Sequence, residues 1–168
     1  MPESSIVGKA GDGFRTMMKM LNKQRVNLAA LSTGPAIRML DEAIRYALER
    51  KQSGRAIGEF QLIQAMLADC KVEIEAARAL SLETARKRDR GEDVTMEVSL
   101  CKYYAPEMCG RVADRVVQIF GGQGYVKGLG IERFYRDVRA FRIYEGTSQI
   151  HQLNIARHLL KTARHEGP

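Results

Sequence analysis

A carboxylate with an open approach lies near the C-terminus of this 168-residue chain. Glu145 is followed directly by Gly146, which has no side chain to obstruct an approaching molecule and tolerates unusual backbone angles. A carboxylate that a substrate can reach closely is suited to accept a proton as a general base. The same residues also allow a plainer interpretation, in which Glu145 faces solvent beside an ordinary helix cap.

The residues that follow Glu145 predict the start of a helix. Thr147 and Ser148 are favourable N-cap residues. A helix N-terminus exposes unpaired N–H groups and a partial positive charge, which suits the phosphates of a cofactor. The apolar stripe of this predicted helix consists of Ile150, Leu153, Ile155, Ala156, Leu159 and Leu160.

The charge balance of 27 basic and 20 acidic residues gives a net charge of +7. Such a chain can bind nucleic acid or a polyanionic small molecule. The densest basic run, residues 86–90, contains no aromatic side chains and falls at the end of a helical pattern. Cations there complement the helix dipole, so we interpret the run as a solvated helix end and expect no nucleic-acid binding.

Cysteine and histidine spacing predicts no metal site. The three cysteines form no CxxC pair, which is typical of reduced thiols in a reducing compartment. His151, His158 and His165 stand seven residues apart, and about 10 Å of helix rise is too far for ligands of one ion. We interpret them as a polar face of the last helix. No apolar run is long enough to cross a bilayer, and no signal peptide is found.

Apolar periodicity predicts an all-α, antiparallel up-and-down helical bundle with no sheet beyond the first few residues. Three long helices are expected. The first is kinked or split at Gly34-Pro35, the second ends before Gly91, and the third is capped by Asp93 or Thr95 and distorted at Pro106. A short helix over residues 131–138 and a last helix from Thr147 complete the prediction.

Five segments, in this order, resemble the C-terminal helical domain of the acyl-CoA dehydrogenases, and the resemblance extends from Pro2 to His165. They are residues 2–14, 22–25, 46–54, 118–122 and 136–149. The resemblance implies that residues 1–12 are an extended lead-in from a middle β-domain that this chain lacks. Residues 13–168 would then be the C-terminal bundle.

The resemblance also implies a set of site residues. Glu145 corresponds to the family's catalytic base. The residues implied in substrate binding are Asn22, Arg25, Tyr144 and Gly146. The residues implied in cofactor binding are Arg50, Gln52, Gln118, Gly121, Gly122, Thr147, Ser148 and Gln149. Two departures matter: Ser53 stands where phenylalanine is usual, and Gln24 stands where a subset of the family carries its base.

The implied activity is α,β-dehydrogenation of an acyl-CoA thioester, with hydride transfer to FAD. Partners implied are a second copy of the chain, as homodimer or homotetramer, and an electron-transfer flavoprotein as electron acceptor. The location would be the bacterial cytoplasm or the mitochondrial matrix. Without the N-terminal and middle domains, the isolated domain is expected to be inactive. An acyl-CoA oxidase-like flavoenzyme and a non-catalytic helical assembly subunit are the alternatives.

Overall fold

The computed structural model of the protein describes residue 2 and residues 5–165, and its architecture is a helical bundle. Three long helices, α1 (Gly13–Glu49), α2 (Gln61–Asp89) and α3 (Thr95–Phe120), form the body of the fold. The chain continues through the short helices α4 (Gly122–Tyr125) and α5 (Ile131–Arg139) to the final helix α6 (Ser148–His165). The predicted all-α antiparallel bundle is confirmed.

A small hairpin between α1 and α2 corrects the prediction that no sheet would follow the first few residues. Strands β1 (Lys51–Gln52) and β2 (Arg55–Ala56) pair antiparallel. Ser53 and Gly54 connect them with φ values of 50° and 81°. Two consecutive positive φ angles are what a tight two-residue hairpin turn requires.

Helix α1 is continuous through Gly34-Pro35, so the chain is not split there. Proline removes one intrahelical hydrogen bond. Buried contacts on both sides compensate, because Ala29, Ala36 and Met39 are fully buried in the core. Helix α3 is likewise continuous through the buried Pro106.

Helix α3 is the central element of the bundle. It packs against α1, α2, α5 and α6, and its buried face includes Met108, Val112 and Val116 at 0% exposure. Full burial of such side chains stabilises the fold by about 1.5–3 kcal/mol each. At its start, the carboxylate of Asp93 accepts a 3.0 Å hydrogen bond from the Thr95 N–H.

The basic run at residues 86–90 lies at the C-terminal end of α2, as predicted. Its cations pair with acidic neighbours: Arg90 with Glu92 at 2.6 Å and Lys87 with Glu97 at 2.8 Å. These ion pairs are consistent with a solvated helix end.

The three cysteines are free and buried. Burial raises the pKa of Cys70 to about 11 and that of Cys109 to about 12, so both thiols are neutral at pH 7. Within the described part of the chain, no helix combines the length and the apolar character that crossing a membrane requires.

Candidate active site

Glu145 lies in a strained turn between α5 and α6. Its φ of 56° is in the left-handed region, which non-glycine residues rarely adopt and which costs of order 1–3 kcal/mol. Gly146 follows with a φ of 96°, and a Cβ added there would lie 3.0 Å from His151 Nε2. Strain of this kind persists only where the surrounding structure enforces it, and it clusters at functional sites.

The Glu145 carboxylate is partly buried, whereas its backbone carbonyl is firmly held. The atom Oε2 is inaccessible to solvent and has no hydrogen-bond partner in the described part of the chain. The carbonyl oxygen accepts a hydrogen bond from Arg25 Nε at 3.2 Å and lies 3.3 Å from His151 Nε2. The backbone contacts therefore fix the turn, while one buried carboxylate oxygen keeps an unused capacity to accept a hydrogen bond.

Helix α1 brings Arg25 to this turn, where only 8% of the residue is exposed. Burial lowers the pKa of Arg25, while the nearby Glu145 opposes that shift. A guanidinium remains charged at neutral pH. The sequence prediction placed Arg25 near the base, and the structure brings the two residues together.

Helix α3 contributes Lys102, a residue the sequence analysis did not identify. It is fully buried, and its Nζ donates hydrogen bonds to the carbonyls of Phe141 at 2.8 Å and Gly146 at 3.0 Å. Burial lowers the pKa of Lys102 to about 8, although Glu145 acts in the opposite direction. Its position one helical turn after the buried Val98 was the available signal.

His151 corrects the prediction that the three histidines form a polar helix face. It is fully buried, because the first turn of α6 packs onto α3 and the Glu145 turn, whereas His158 is exposed. Burial lowers the pKa of His151 to about 4, so the ring is neutral at pH 7. Its Nδ1 has no partner within the described residues, which a neutral ring tolerates as an unpaired acceptor.

A carboxylate on α3 anchors the start of α6. Glu107 accepts a 2.6 Å hydrogen bond from Ser148 Oγ and pairs with Arg142 at 3.3 Å. A Cβ on Gly110 would lie 1.7 Å from Arg142 Nη2, so a larger residue there would force the guanidinium to shift. Ser148 is 3% exposed, and its hydroxyl group is directed towards Glu107 within the fold.

The other predicted residues of this region lie nearer the surface. Thr147 precedes α6, and its Oγ1 accepts a 3.4 Å hydrogen bond from the Ile150 N–H, as an N-cap does. Tyr144 is 39% exposed and meets Phe141 edge-on, while Gln149 is exposed. The side chain of Asn22 lies outside the described part of the structure.

A pocket of about 390 Å³ collects four of the predicted cofactor residues: Arg50, Gln52, Gly121 and Gly122. Its floor includes Tyr46 and Phe120, whose rings stack with centroids 4.1 Å apart. The predicted residue Gln118 is exposed and does not line this pocket.

The Glu145 site and this pocket lie at different ends of the bundle. Arg25 lies on helix α1, and Arg50 lies directly after its end. The 25 positions between them correspond to a rise of about 37 Å. Lys102 and Gly121 are separated by about 28 Å along α3 by the same measure. One chain therefore carries two well-separated candidate sites.

Comparisons with known proteins identify the family of this chain. Residues 11–160 match the family model described as acyl-CoA dehydrogenase, C-terminal domain. The chain is 45% identical over 161 residues to the caffeyl-CoA reductase-Etf complex subunit CarC of Acetobacterium woodii, covering 96% of this chain and 42% of that protein. It is 39% identical to the mitochondrial short-chain specific acyl-CoA dehydrogenase of Bos taurus, covering 98% and 40%.

A solved structure gives the same result. Butyryl-CoA dehydrogenase from Megasphaera elsdenii superposes with a TM-score of 0.91 at 36% identity, covering 95% of this chain and 42% of that one. The chain thus spans about two fifths of the length of the relatives it matches. The family model, the sequence identities and the shared fold together show that this chain belongs to the acyl-CoA dehydrogenase family and corresponds to its C-terminal helical domain.

Proposed function

We propose that this chain is the C-terminal catalytic part of an FAD-dependent acyl-CoA dehydrogenase. Glu145 would remove a proton from the carbon next to the thioester carbonyl. One observation carries the proposal: the partly buried Glu145 carboxylate has an oxygen without a hydrogen-bond partner in the described residues, beside the buried cations Arg25 and Lys102. Such an oxygen keeps an unused acceptor position that a substrate proton could occupy.

Two buried cations lie close enough to the Glu145 carboxylate to interact with it. Arg25 and Lys102 each interact favourably with its negative charge. Gly146 leaves the approach to the carboxylate free of a side chain, and Asn22 and Tyr144 would complete the substrate contacts. The backbone N–H of Glu145 would donate to the thioester oxygen as negative charge develops there.

The residues of the second site fit an anionic dinucleotide. Arg50 offers a positive charge, Gln52 offers amide groups, and Gly121 and Gly122 expose backbone without side chains in the same pocket. Gln118 would add a contact at the edge of this region. At the other end of the molecule, Thr147, Ser148 and Gln149 would contact the cofactor through the start of α6. When bound, FAD supplies the two-electron acceptor for the hydrogen that leaves the β-carbon.

The separation of the two sites favours two flavin molecules in contact with one chain. The cofactor beside Glu145 would be the one used in catalysis by this chain, and the pocket beside Arg50 would serve a neighbouring subunit. A homodimer or homotetramer satisfies this arrangement. Because the chain spans about two fifths of its relatives, the remaining parts of both pockets would come from an N-terminal and a middle domain, without which the chain would be inactive.

The names of two relatives favour a second candidate, the reverse reaction. One is a caffeyl-CoA reductase subunit and another, 45% identical over 159 residues, is the 3-(aryl)acrylate reductase of Clostridium sporogenes. Reduction of a 2,3-unsaturated acyl-CoA would use Glu145 to deliver a proton to the α-carbon. The name of the first relative includes an Etf complex, which supports an electron-transfer flavoprotein as electron partner.

The test is the replacement Glu145→Gln in the complete flavoenzyme. Glutamine keeps the shape and most hydrogen bonds but removes the proton acceptor. We expect FAD content and acyl-CoA binding to persist, while anaerobic flavin bleaching by acyl-CoA slows by about 10²–10⁴-fold. Glu75→Gln on the exposed surface of α2 is the matched control and should bleach at the parent rate.

The outcome also separates the alternatives. Equal bleaching rates in the parent and Glu145→Gln enzymes would exclude Glu145 as the base. Bleaching followed by rapid reoxidation in air would favour the oxidase-like alternative. A non-catalytic subunit would give a different result. In that case the complete protein would bind FAD, but acyl-CoA would not bleach the flavin and enoyl-CoA would not reoxidise the reduced flavin.

A further inference from the structure

Hydrogen bonds do not fix both oxygens of the Glu145 carboxylate in place. Oε2 has no partner in the described part of the chain, although it is shielded from solvent. A side chain in this state takes its position from the backbone that carries it. The groups that hold the turn at residues 141–146 therefore decide where the carboxylate points.

That backbone has an intrinsic tendency to leave the observed conformation. Glu145 holds a φ of 56° although it has a Cβ, and Gly146 follows at 96°. Left-handed backbone at a non-glycine residue persists only where its surroundings enforce it. Three side chains do so here. Arg25 donates to the Glu145 carbonyl, and His151 Nε2 lies 3.3 Å from the same oxygen. Lys102 donates to the carbonyls of Phe141 and Gly146.

Among the side chains that hold the turn, Lys102 contacts two of its carbonyls. Its Nζ joins Phe141 O at 2.8 Å to Gly146 O at 3.0 Å, so one ammonium group closes the turn across five residues. Lys102 is itself fully buried on the rigid helix α3. An ammonium group buried away from water requires hydrogen-bond acceptors to offset the cost of its burial. Hydrogen bonds from a charged donor are also stronger than those from a neutral one.

We propose that Lys102 is a positioning residue for the reaction: its buried ammonium group holds the turn on which Glu145 is carried and so aims the carboxylate at the substrate. This inference rests on the proposed function of Glu145. It assigns Lys102 no contact with the substrate or with the reacting atoms. Its effect passes through the carbonyls of Phe141 and Gly146.

The charges around Lys102 predict that its hold on the turn depends on pH. The groups that face it are Arg25 from α1, Glu107 from α3, Glu145 from the turn and the neutral His151 from α6. Burial and Arg25 lower the pKa of Lys102, Glu145 and Glu107 raise it, and the result is about 8. Above that pH the amine loses its charge, its hydrogen bonds to both carbonyls weaken, and the turn is held less firmly.

The experiment compares Lys102→Met with the parent in the complete holoenzyme, because methionine matches the length of lysine without its donors. We expect FAD content to be retained and the acyl-CoA concentration for half-maximal bleaching to change little. The limiting rate of anaerobic bleaching should fall by about 10²-fold, as for a catalytic group displaced by about 1 Å. Lys71→Met, on the exposed face of α2, is the control and should match the parent.

The pH profile gives a second readout that a merely structural role would not move. The limiting bleaching rate of the parent should fall as pH rises through about 8, while acyl-CoA binding persists, and Lys102→Arg should remove this decline because arginine stays charged. A Lys102→Met holoenzyme that bleaches at the parent rate would overturn the inference. If that variant does not form a holoenzyme, a parent rate that stays constant from pH 7 to 10 would overturn it.

The result is distinguishable from a failure of the proposed function. If Glu145→Gln is slow while Lys102→Met is fast, only the positioning inference is wrong. If Glu145→Gln bleaches at the parent rate, the proposed function itself is wrong.

Discussion

The two ends of the bundle differ in the burial of their charged and polar side chains. At the Glu145 end, Arg25, Lys102 and His151 are buried, and each contacts a backbone carbonyl of the turn. In the pocket at the other end, the charged and amide side chains of Arg50 and Gln52 are exposed. The first site is organised by contacts within the fold, whereas under the proposed function the second gains its partners from the ligand.

This difference predicts different sensitivities. Buried ionisable groups couple their protonation to folding, because moving a charge out of water is costly. Exposed charges interact through solvent, so their contribution depends on ionic strength. Substitutions at the Glu145 end should therefore change the pH dependence of stability and the rate of the chemical step. Substitutions in the pocket should change the salt dependence of cofactor retention.

The largest effect on stability is expected from His151. Its pKa is about 4 in the folded chain against an ordinary value of 6.5, so the unfolded chain binds a proton at a higher pH than the folded chain does. The free energy of unfolding should therefore fall as pH drops from about 6.5 towards 4, by about 3 kcal/mol in total. Denaturant midpoints measured across this range test the prediction.

His151→Gln provides the comparison for that experiment. Glutamine can still donate a hydrogen bond to the Glu145 carbonyl but does not titrate, so its stability should decline less between pH 6.5 and 4. His158→Gln changes an exposed histidine of the same helix and should keep the parent profile. Identical pH profiles for the parent and His151→Gln would contradict the account of a buried neutral ring.

A smaller effect is expected from Arg50→Gln in the pocket. Loss of one exposed cation should weaken FAD retention in the complete enzyme by up to about fivefold at low salt, the equivalent of about 1 kcal/mol. The difference from the parent should shrink as salt rises, since the screening length is about 10 Å at 0.1 M. Arg38→Gln is the control, because Arg38 is an exposed arginine of α1 that pairs with Glu42; this change should leave retention unchanged.

Retention that is equally weak at all salt concentrations would indicate a packing role for Arg50 and would remove the contrast between the two sites. Equilibrium dialysis of FAD at several ionic strengths provides the measurement.

The fold was largely predictable because it follows from local patterns. Apolar residues at helical spacing identify α1, α2 and α3, and Thr147 precedes α6 as predicted. The predicted caps of α3, Asp93 or Thr95, were each off by one residue, since its N-cap is Val94. The β1–β2 hairpin was missed because each strand has two residues and no apolar alternation. The Ser53-Gly54 dipeptide was the only local sign of its turn.

The candidate site was only partly predictable because its geometry comes from distant segments. Glu145 and Arg25 were identified by resemblance, but the hydrogen bond between them joins residues 120 positions apart. Lys102 and His151 lie on helix faces whose burial depends on packing with other helices. A lysine among apolar residues of α3 reads equally well as a solvated side chain until its two carbonyl partners are located.

The most direct test of the central claim measures proton removal without the redox step. The complete enzyme would be incubated in D2O with an acyl-CoA analogue that carries no hydrogen on its β-carbon, and deuterium at the α-carbon would be followed by NMR. We predict steady exchange in the parent and exchange slower by about 10²–10⁴-fold in Glu145→Gln. Exchange at the same rate in both enzymes would show that another group removes the proton and would contradict the account.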